Sequence, residues 1–394
     1  MNQSSRSGSA VCAEMLARLA YHKHCPIVTV AGTNGKGTSC HLLADYWQRR
    51  GRKVGLFTSP HLLHFNERIC MNQQQATDQD IAAAFARIEA VQGDLDLGYF
   101  HRAFLAAVLI FEAAAVDLMI LEVGIGGRLD AVNSLDADYA LLTTIALDHT
   151  EILGATRELI GYEKAGIFRA RQLVVCGELD PPASVLQRAQ DLQVRLFLRG
   201  RDFDLADLAA YPEGHIPRQN ALAVWALLQK MDANFEAAIF AESLAQLIVP
   251  GRMQCVGRAP EILIDVAHNP HSAAYLAAYL KAHPVEGQTY AIFSALRDKD
   301  IQRIMSPFVQ DIHAWFFIEL AHERGAGVAE LHQAVAAGTY QDFQSMPALY
   351  AAALKKAGPQ DRIVVFGSFL LVGLFLECHN QSIELLGAAD DTII

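Results

Sequence analysis

The apolar residues of this chain alternate between short unbroken runs and longer stretches in which they return every three or four positions. An unbroken run between turn residues predicts a strand buried on both faces, and the 3.6-residue period predicts a helix packed over it. Taken in order, the pattern predicts a strand ending at Ala31, a helix over about 38–50, a strand over 53–58, helices over 78–92 and 104–116, and strands over 117–123 and 140–145. A short helix over 161–168, strands over 173–176 and 195–198, and a helix over 220–230 continue the alternation. After the tight turn Pro250-Gly251-Arg252 the pattern restarts, with strands over 261–266, near 290–293, over 314–318 and over 362–366 and helices between them. Such alternation predicts an α/β fold of mainly parallel sheets covered by helices. Single cores stop growing near about 250–300 residues, so a chain of 394 residues is expected to form two domains. The restart places them at 1–254 and 255–394, with the polar residues 1–10 flexible and the ligand site expected in the cleft between the domains.

Composition narrows the function classes. A hydrophobic fraction of 52% with 19% charged residues describes a folded protein and excludes a disordered one. A net charge of −11 argues against a nucleic-acid binder, whose footprint is a basic face, so an anionic ligand must meet a local cluster of positive groups. The seven cysteines are odd in number and show no C-x-x-C spacing, a reduced pattern without a disulfide framework or thiolate metal site. Neither of the most apolar stretches reads as a membrane span: 103–123 is broken by Glu112, Asp117 and Glu122, and 363–376 is short and carries Gly367, Ser368 and Gly373. The expected compartment is the cytoplasm.

The candidate chemistry sits where predicted strands end. Val28-Thr29-Val30-Ala31 runs into Gly32-Thr33-Asn34-Gly35-Lys36-Gly37-Thr38. Three glycines let backbone N–H groups approach an oxyanion, Lys36 adds a point charge, and the next helix aims its positive end at the same place. The spacing differs from G-x-x-x-x-G-K-[ST], because Gly37 separates Lys36 from the Thr38 hydroxyl. An ordinary strand-turn-helix corner has no need of three glycines round one lysine, so a nucleotide phosphate cradle is expected. After the next strand come Ser59-Pro60-His61-Leu62 and the ion-pair-capable Glu67-Arg68, placed as a loop at the carboxyl edge of a sheet would be. The plainer alternative there is a turn with solvated charges. The strand over 117–123 ends in Glu122 and continues as Gly124-Ile125-Gly126-Gly127-Arg128-Leu129-Asp130, a poor dinucleotide fingerprint and better read as a second catalytic loop. The strand over 140–145 leads to Asp148-His149-Thr150. A strand-end histidine more commonly serves structure, but a carboxylate and an imidazole from successive strand ends can also converge on a cation held by nucleotide phosphates. Lys164 is by default a solvated helix lysine paired with an acid.

These segments, followed by Pro250-Gly251-Arg252 and Asp265-Val266-Ala267-His268-Asn269-Pro270, together resemble the Mur ligase superfamily and, within it, the dihydrofolate synthase/folylpolyglutamate synthase branch, over about residues 26–370. The resemblance implies a P-loop ATPase domain and a smaller Rossmann-like C-terminal domain. It implies that Thr33, Asn34, Gly35, Lys36, Gly37 and Thr38 hold the phosphates of ATP, that Asn220 is an adenine-side asparagine, and that Arg252 and Asp265 contact the nucleotide with His268 close by. Ser59, Glu122 and His149 become magnesium ligands, where an ordinary phosphate loop would assign the metal hydroxyl to Thr38. Lys164 matches a lysine carbamylated in the family, whose carbamate could accept a second magnesium ion. Gly98, Tyr99, Phe100 and His101, with Leu129, Asp130 and Ala131, resemble pterin-side contacts. The implied activity is ATP-dependent addition of L-glutamate to dihydropteroate, and extension of folate by further glutamates, through an acyl phosphate. The expected partners are these small molecules alone, with a monomeric chain and neither nucleic acid nor membrane.

The chain departs from the family pattern at Tyr99-Phe100-His101-Arg102, where relatives usually carry an acid after the aromatic pair. It departs again at Ser4–Ala10, in place of a leucine-glycine-rich segment, and at Leu370, where bacterial relatives often have histidine. A Mur-like ligase with another carboxylate acceptor, and an ATP-binding regulator without turnover, are the alternatives.

Overall fold

Helix α1 (Gly8–Arg18) opens the described chain, capped by the Ser7 hydroxyl, which accepts the Ala10 N–H. Residues 8–10 are thus the first turn of a helix, where a flexible lead was expected; residues 1–6 lie outside the described residues, which are 7–212, 215–335 and 339–390 of the computed structural model. The chain divides into two compact units, residues 1–247 and 248–394.

The first unit runs β1 (Ile27–Ala31), α2 (Lys36–Arg49), β2 (Val54–Phe57), β3 (Ile69–Met71), β4 (Gln74–Gln75), α3 (Asp78–Gln92), α4 (Tyr99–Ala113), β5 (Leu118–Glu122) and β6 (Tyr139–Leu142). It continues through α5 (Thr150–Leu153), α6 (Arg157–Ala165), β7 (Leu173–Cys176), α7 (Ala183–Asp191), β8 (Arg195–Leu198), α8 (Arg218–Met231) and α9 (Ala237–Gln246). The eight strands form one sheet in the order β4-β3-β2-β5-β1-β6-β7-β8. From β2 to β8 the pairing is parallel, and β3 and β4 add an antiparallel edge. Every residue of β1, β2 and β5 is buried, as befits strands covered on both faces.

Helix α4 shows how the core is built. Its residues from Ala103 to Phe111 are all buried, so this is a core helix without a solvent stripe. Burying Phe104 and Phe111 contributes about 1.5–3 kcal/mol each. Phe111 lies so close to β2 that a Cβ on Gly55 would sit 2.7 Å from its ring, which is why that strand position carries no side chain. The helix begins at Tyr99, ahead of the expected 104. Gly98 has no capping side chain, and the His101 ring substitutes by accepting the Gly98 N–H at Nδ1 (3.2 Å).

The second unit comprises β9 (Gln254–Arg258), β10 (Glu261–Ile264), α10 (Pro270–Ala282), β11 (Thr289–Phe293), α11 (Ile301–Met305), β12 (Ala314–Ile318), α12 (Val328–Val335), β13 (Tyr340–Phe343), α13 (Met346–Lys356), β14 (Arg362–Phe366) and α14 (Phe369–Asp390). Its sheet has the order β13-β12-β11-β14-β10-β9, parallel except for β9. Phe293, Phe308, Trp315, Phe317 and Phe366 form an aromatic core, with Phe293 and Phe366 edge to face at 5.0 Å. The guanidinium of Arg362, nearly inaccessible, pairs with Glu261 on the adjacent strand and donates to the carbonyl of His283 at 2.6 Å. Among the described residues no helix is long and apolar enough to cross a membrane.

Candidate active site

Strands β5, β1 and β6 are neighbours, and their carboxyl ends lie level. Val30 pairs with Glu122 and Ala31 with Leu142, while on the outer side of β5 Phe57 pairs with Leu121. The turn after Ala31, the Glu122 carboxylate, the loop after Phe57 and the residues after Leu142 therefore share one edge. Strand β1 is the point from which the connections run to either side, where open parallel sheets place ligands.

The glycine turn after β1 is held from two sides. On the β6 side the Thr33 N–H donates to the Thr144 carbonyl (2.7 Å), the Asn34 N–H to Thr144 Oγ1 (3.0 Å), and Thr143 Oγ1 donates to the Asn34 carbonyl (2.7 Å). Thr33 Oγ1 also donates to the Ala146 carbonyl and accepts its N–H. A Cβ on Gly32 would lie 1.8 Å from Thr143 Oγ1, so glycine is required by contact alone. On the α8 side the buried Asn220 donates from Nδ2 to the Gly35 carbonyl (3.1 Å) and to Ser39 Oγ (3.2 Å). Thr143 and Thr144 were not anticipated; their signal was two adjacent threonines at the polar end of an apolar run.

Both candidate lysines converge on one atom. Lys36 Nζ donates to the carbonyls of Gly32 (3.1 Å) and Thr33 (3.3 Å), and Lys164 Nζ, from α6, donates to the same Gly32 carbonyl at 2.9 Å. Lys164 is 3% exposed, so the expectation of a solvated lysine is wrong. Burial, helped by the charge of Lys36 and opposed by Asp148 and Asp130, lowers its pKa to about 7. Glu122 is also buried; its Oε2 accepts the Ser59 N–H (2.9 Å) and lies 3.4 Å from where a Gly37 Cβ would be. A carboxylate is thereby set against the first turn of α2, whose dipole favours it. His149 caps α5 in the left-handed conformation (φ 49°), a strained state for a non-glycine residue. Its N–H donates to Asp148 Oδ1. Among the described residues no group of three or more His, Cys, Asp or Glu side chains is placed to hold a metal ion. A set of one hydroxyl, one carboxylate and one imidazole, as Ser59, Glu122 and His149 would supply, falls outside that count and suits a cation completed by phosphate and water.

The loop carrying Ser59 is fixed by Glu67, but not through the neighbouring arginine. The Glu67 carboxylate accepts the N–H groups of Leu62, Leu63 and His64 at 2.7, 2.8 and 2.7 Å. Arg68, buried, donates from Nε to His61 Nδ1 (2.8 Å) and covers the Tyr99 ring at 5.3 Å. Glu67→Ala is expected to cost about 2 kcal/mol, read from a urea titration, because three N–H groups lose an ionised acceptor. Glu67→Gln should lose less than half as much. A loss within error for the alanine variant would show that the loop is held by other contacts.

In the loop after β5, Asp130 accepts from Gly124 N and Ile125 N through Oδ2 (both 3.1 Å) and from Val132 N through Oδ1 (3.0 Å). Burial outweighs these bonds and pushes its pKa up to about 6. Ala131 is buried behind it, Leu129 is exposed and its carbonyl accepts the Ser9 N–H, and Phe100 packs on Gly124. Gly98, Tyr99, Phe100 and His101 form the cap and first turn of α4. Six of the seven cysteines are buried, and burial pushes Cys70 up to about 11 and Cys12 to about 12, which leaves them poor nucleophiles.

In the second unit Asp265 follows β10 and accepts the N–H groups of Met253 (2.9 Å) and Ala267 (2.8 Å), so it ties the Arg252 turn to the loop that carries His268. Burial raises its pKa. The Arg252 guanidinium lies over the Phe369 ring at 4.6 Å, and His268 meets the same ring at 5.8 Å. His268 Nδ1 is 3.0 Å from the Val266 carbonyl, which can only accept, so the neutral ring is protonated there and Nε2 is its acceptor.

Comparison with known proteins decides the family. The chain is 38% identical over 375 residues to the dihydrofolate synthase/folylpolyglutamate synthase of Escherichia coli K12, covering 92% of this chain and 88% of that one. The chain belongs to the dihydrofolate synthase/folylpolyglutamate synthase family. Residues 251–369 match the Mur ligase glutamate ligase domain. A structure of E. coli FolC in complex with DHPP and ADP superposes with a TM-score of 0.92 at 36% identity, covering 97% of this chain and 95% of that one. The Yersinia pestis folylpolyglutamate synthase/dihydrofolate synthase complexed with AMPPNP and a Mn ion does so with a TM-score of 0.91 at 35% identity, covering 96% and 95%. The Mur ligase fold and the ATP-dependent ligase class expected from the motifs are those of this family.

Proposed function

We propose that this chain joins L-glutamate to 7,8-dihydropteroate to give dihydrofolate, and extends tetrahydrofolate by further glutamates, at the expense of ATP. The observation that carries the reading is the gathering of Lys36, Lys164 and Glu122 round one glycine turn at the β5-β1-β6 edge. Thr33, Asn34, Gly35, Lys36, Gly37 and Thr38 hold the phosphates, and Asn220 belongs to the same nucleotide site. Within the second unit, Arg252, Asp265 and His268 are proposed as nucleotide contacts. Asp130 with its neighbours Leu129 and Ala131, and the segment Gly98–His101, bind the pterin end of the acceptor. Ser59, Glu122 and His149 would hold a divalent cation, magnesium, and carbamylated Lys164 a second. When bound, such ions offset charge on the transferring phosphoryl group.

An oxygen of the acceptor carboxylate attacks the γ-phosphorus, the bond to the β-bridging oxygen breaks, and ADP leaves. The amino group of glutamate then attacks the carbonyl carbon of the acyl phosphate. It loses a proton as phosphate departs with the bonding pair. No protein nucleophile is required, so the residues act by positioning and charge. Lys36 would offset charge on the phosphoryl oxygens, and the backbone N–H groups at the start of α2 would donate to the phosphates of ADP. A cytoplasmic monomer acting on small molecules fits the acidic net charge.

Incubation with ATP, magnesium and glutamate, plus dihydropteroate or tetrahydrofolate, should release ADP with either acceptor and yield a product heavier by one glutamyl residue. Release of ADP only with another carboxylate would replace the acceptor assignment, and binding of ATP without release would favour a regulator.

A further inference from the structure

His149 stands in the left-handed region at φ 49°, and such a state persists only where its surroundings over-determine it. Here the surroundings close a loop. Arg157, the first residue of α6, donates from Nε to the Ile145 carbonyl (3.0 Å) twelve positions back, so it shuts the neck of the segment 145–157 that carries Asp148 and His149. At the same neck Glu178, which follows β7, accepts the Ile145 N–H through Oε2 (2.7 Å) and faces the Arg157 guanidinium through Oε1 (3.5 Å). Both backbone groups of one buried residue are thus held by an ion pair.

The guanidinium is itself fixed, by bonds from Nη1 to Asp180 Oδ2 (3.1 Å) and from Nη2 to the Asp180 carbonyl (2.6 Å). The next residue is tied from the other side. Thr33 Oγ1 donates to the Ala146 carbonyl (3.1 Å) and accepts its N–H (3.0 Å), which sets this loop in register with the phosphate turn. Helix α6 has anchors of its own: Glu158 accepts the N–H groups of Ala183 (3.0 Å) and Ser184 (2.9 Å), and Lys164 donates to the Gly32 carbonyl near the far end. Removing the Arg157 fork therefore frees the loop and leaves the helix in place. A freed loop lets His149 relax toward an ordinary backbone conformation, which turns its ring.

We propose that Arg157, braced by Glu178, is a positioning residue that holds His149 in its strained conformation and so in place for a divalent cation. The inference rests on the reading of Ser59, Glu122 and His149 as the site of that cation. Titration with Mn²⁺ in the presence of ADP, followed by electron paramagnetic resonance, tests it on the intact protein without turnover. Arg157→Ala should weaken Mn²⁺ binding about tenfold, the scale of the backbone strain that it no longer holds. Arg157→Lys, a milder change that keeps the charge and the stem but offers a single nitrogen, should weaken it about threefold. Binding of ADP without divalent metal, read by calorimetry, should stay within about twofold of the wild type in both, because the phosphate turn keeps its contacts with Thr143, Thr144 and Asn220. The double variant His149→Ala/Arg157→Ala should bind Mn²⁺ as His149→Ala does, since Arg157 acts through His149. Unchanged Mn²⁺ affinity in the Arg157 variants, losses that add in the double variant, or an equal loss of metal-free ADP binding would overturn the role assigned to Arg157. Wild-type Mn²⁺ affinity in His149→Ala would instead overturn the reading of the cation site.

Discussion

Glu122→Gln is expected to lower ADP release about 10³-fold while the protein stays folded. The carboxylate is buried at the end of β5, between the Ser59 N–H it accepts and the Gly37 turn at the start of α2. Glutamine has the same shape and keeps an oxygen for the Ser59 N–H, so packing and that hydrogen bond survive. What disappears is a negative charge beside the place where a cation and the γ-phosphate would meet. Burying an amide costs less than burying an ionised carboxylate, so stability should change by no more than about 1 kcal/mol. Activity and a urea titration therefore separate the two roles that a buried carboxylate can have. Full activity in the variant would remove Glu122 from the site, and loss of activity together with several kcal/mol of stability would make it a structural acid. Binding of Mn²⁺ in the presence of nucleotide gives a third readout and should weaken in parallel.

The parts of this site that were legible in the sequence are those where an apolar run stops at a polar residue. Ala31 before Gly32, and Glu122 closing β5, mark strand ends, and strand ends at one edge are where a parallel sheet presents chemistry. Their adjacency was not legible. Strand β5 lies between β2 and β1 although α3 and α4 separate it from β2 in the chain, and nothing local encodes that insertion. The short antiparallel strands β3 and β4 escaped notice because three and two residues are too few to show a period, and the edge strands β9 and β13 because edge positions need not be apolar; Tyr340, Gln341 and Asp342 of β13 are exposed. Adjacent Glu67 and Arg68 suggested an ion pair, yet they project to different sides of their turn and serve the 62–64 backbone and His61 respectively. Lys164 shows the limit most clearly. Residue type and helical context suggest a solvated side chain, and only the packing of α6 beside the glycine turn reveals a buried amine on the Gly32 carbonyl.

That buried amine supports the second large effect. An ordinary lysine with a pKa of 10.5 is almost entirely protonated near neutrality, whereas Lys164, lowered to about 7, is in substantial part neutral there. Only the neutral amine has the electron pair that attacks the carbon of CO₂; the new nitrogen then releases a proton and a carbamate remains. Activity should accordingly fall in CO₂-free buffer and return on adding bicarbonate. Lys164→Ala should be at least about 100-fold slower and indifferent to bicarbonate, since the carbamate that would hold a second cation cannot form. Wild-type activity unmoved by CO₂ removal would argue for the free amine as the working form. The same burial makes a stability prediction that needs no substrate. In CO₂-free buffer the unfolded chain holds a proton on this lysine up to about pH 10.5, and the folded protein releases it near about pH 7, so stability should rise with pH across that window. Lys164→Met has no charge to bury. It should exceed the wild type by a few kcal/mol at or below about pH 7, and the gap should close towards about pH 10.5. Urea titrations of the two proteins at the two ends of the window measure it. Equal stability at the lower end would mean that Lys164 reaches water or a counter-ion, and the ground for an easily carbamylated amine would go with it.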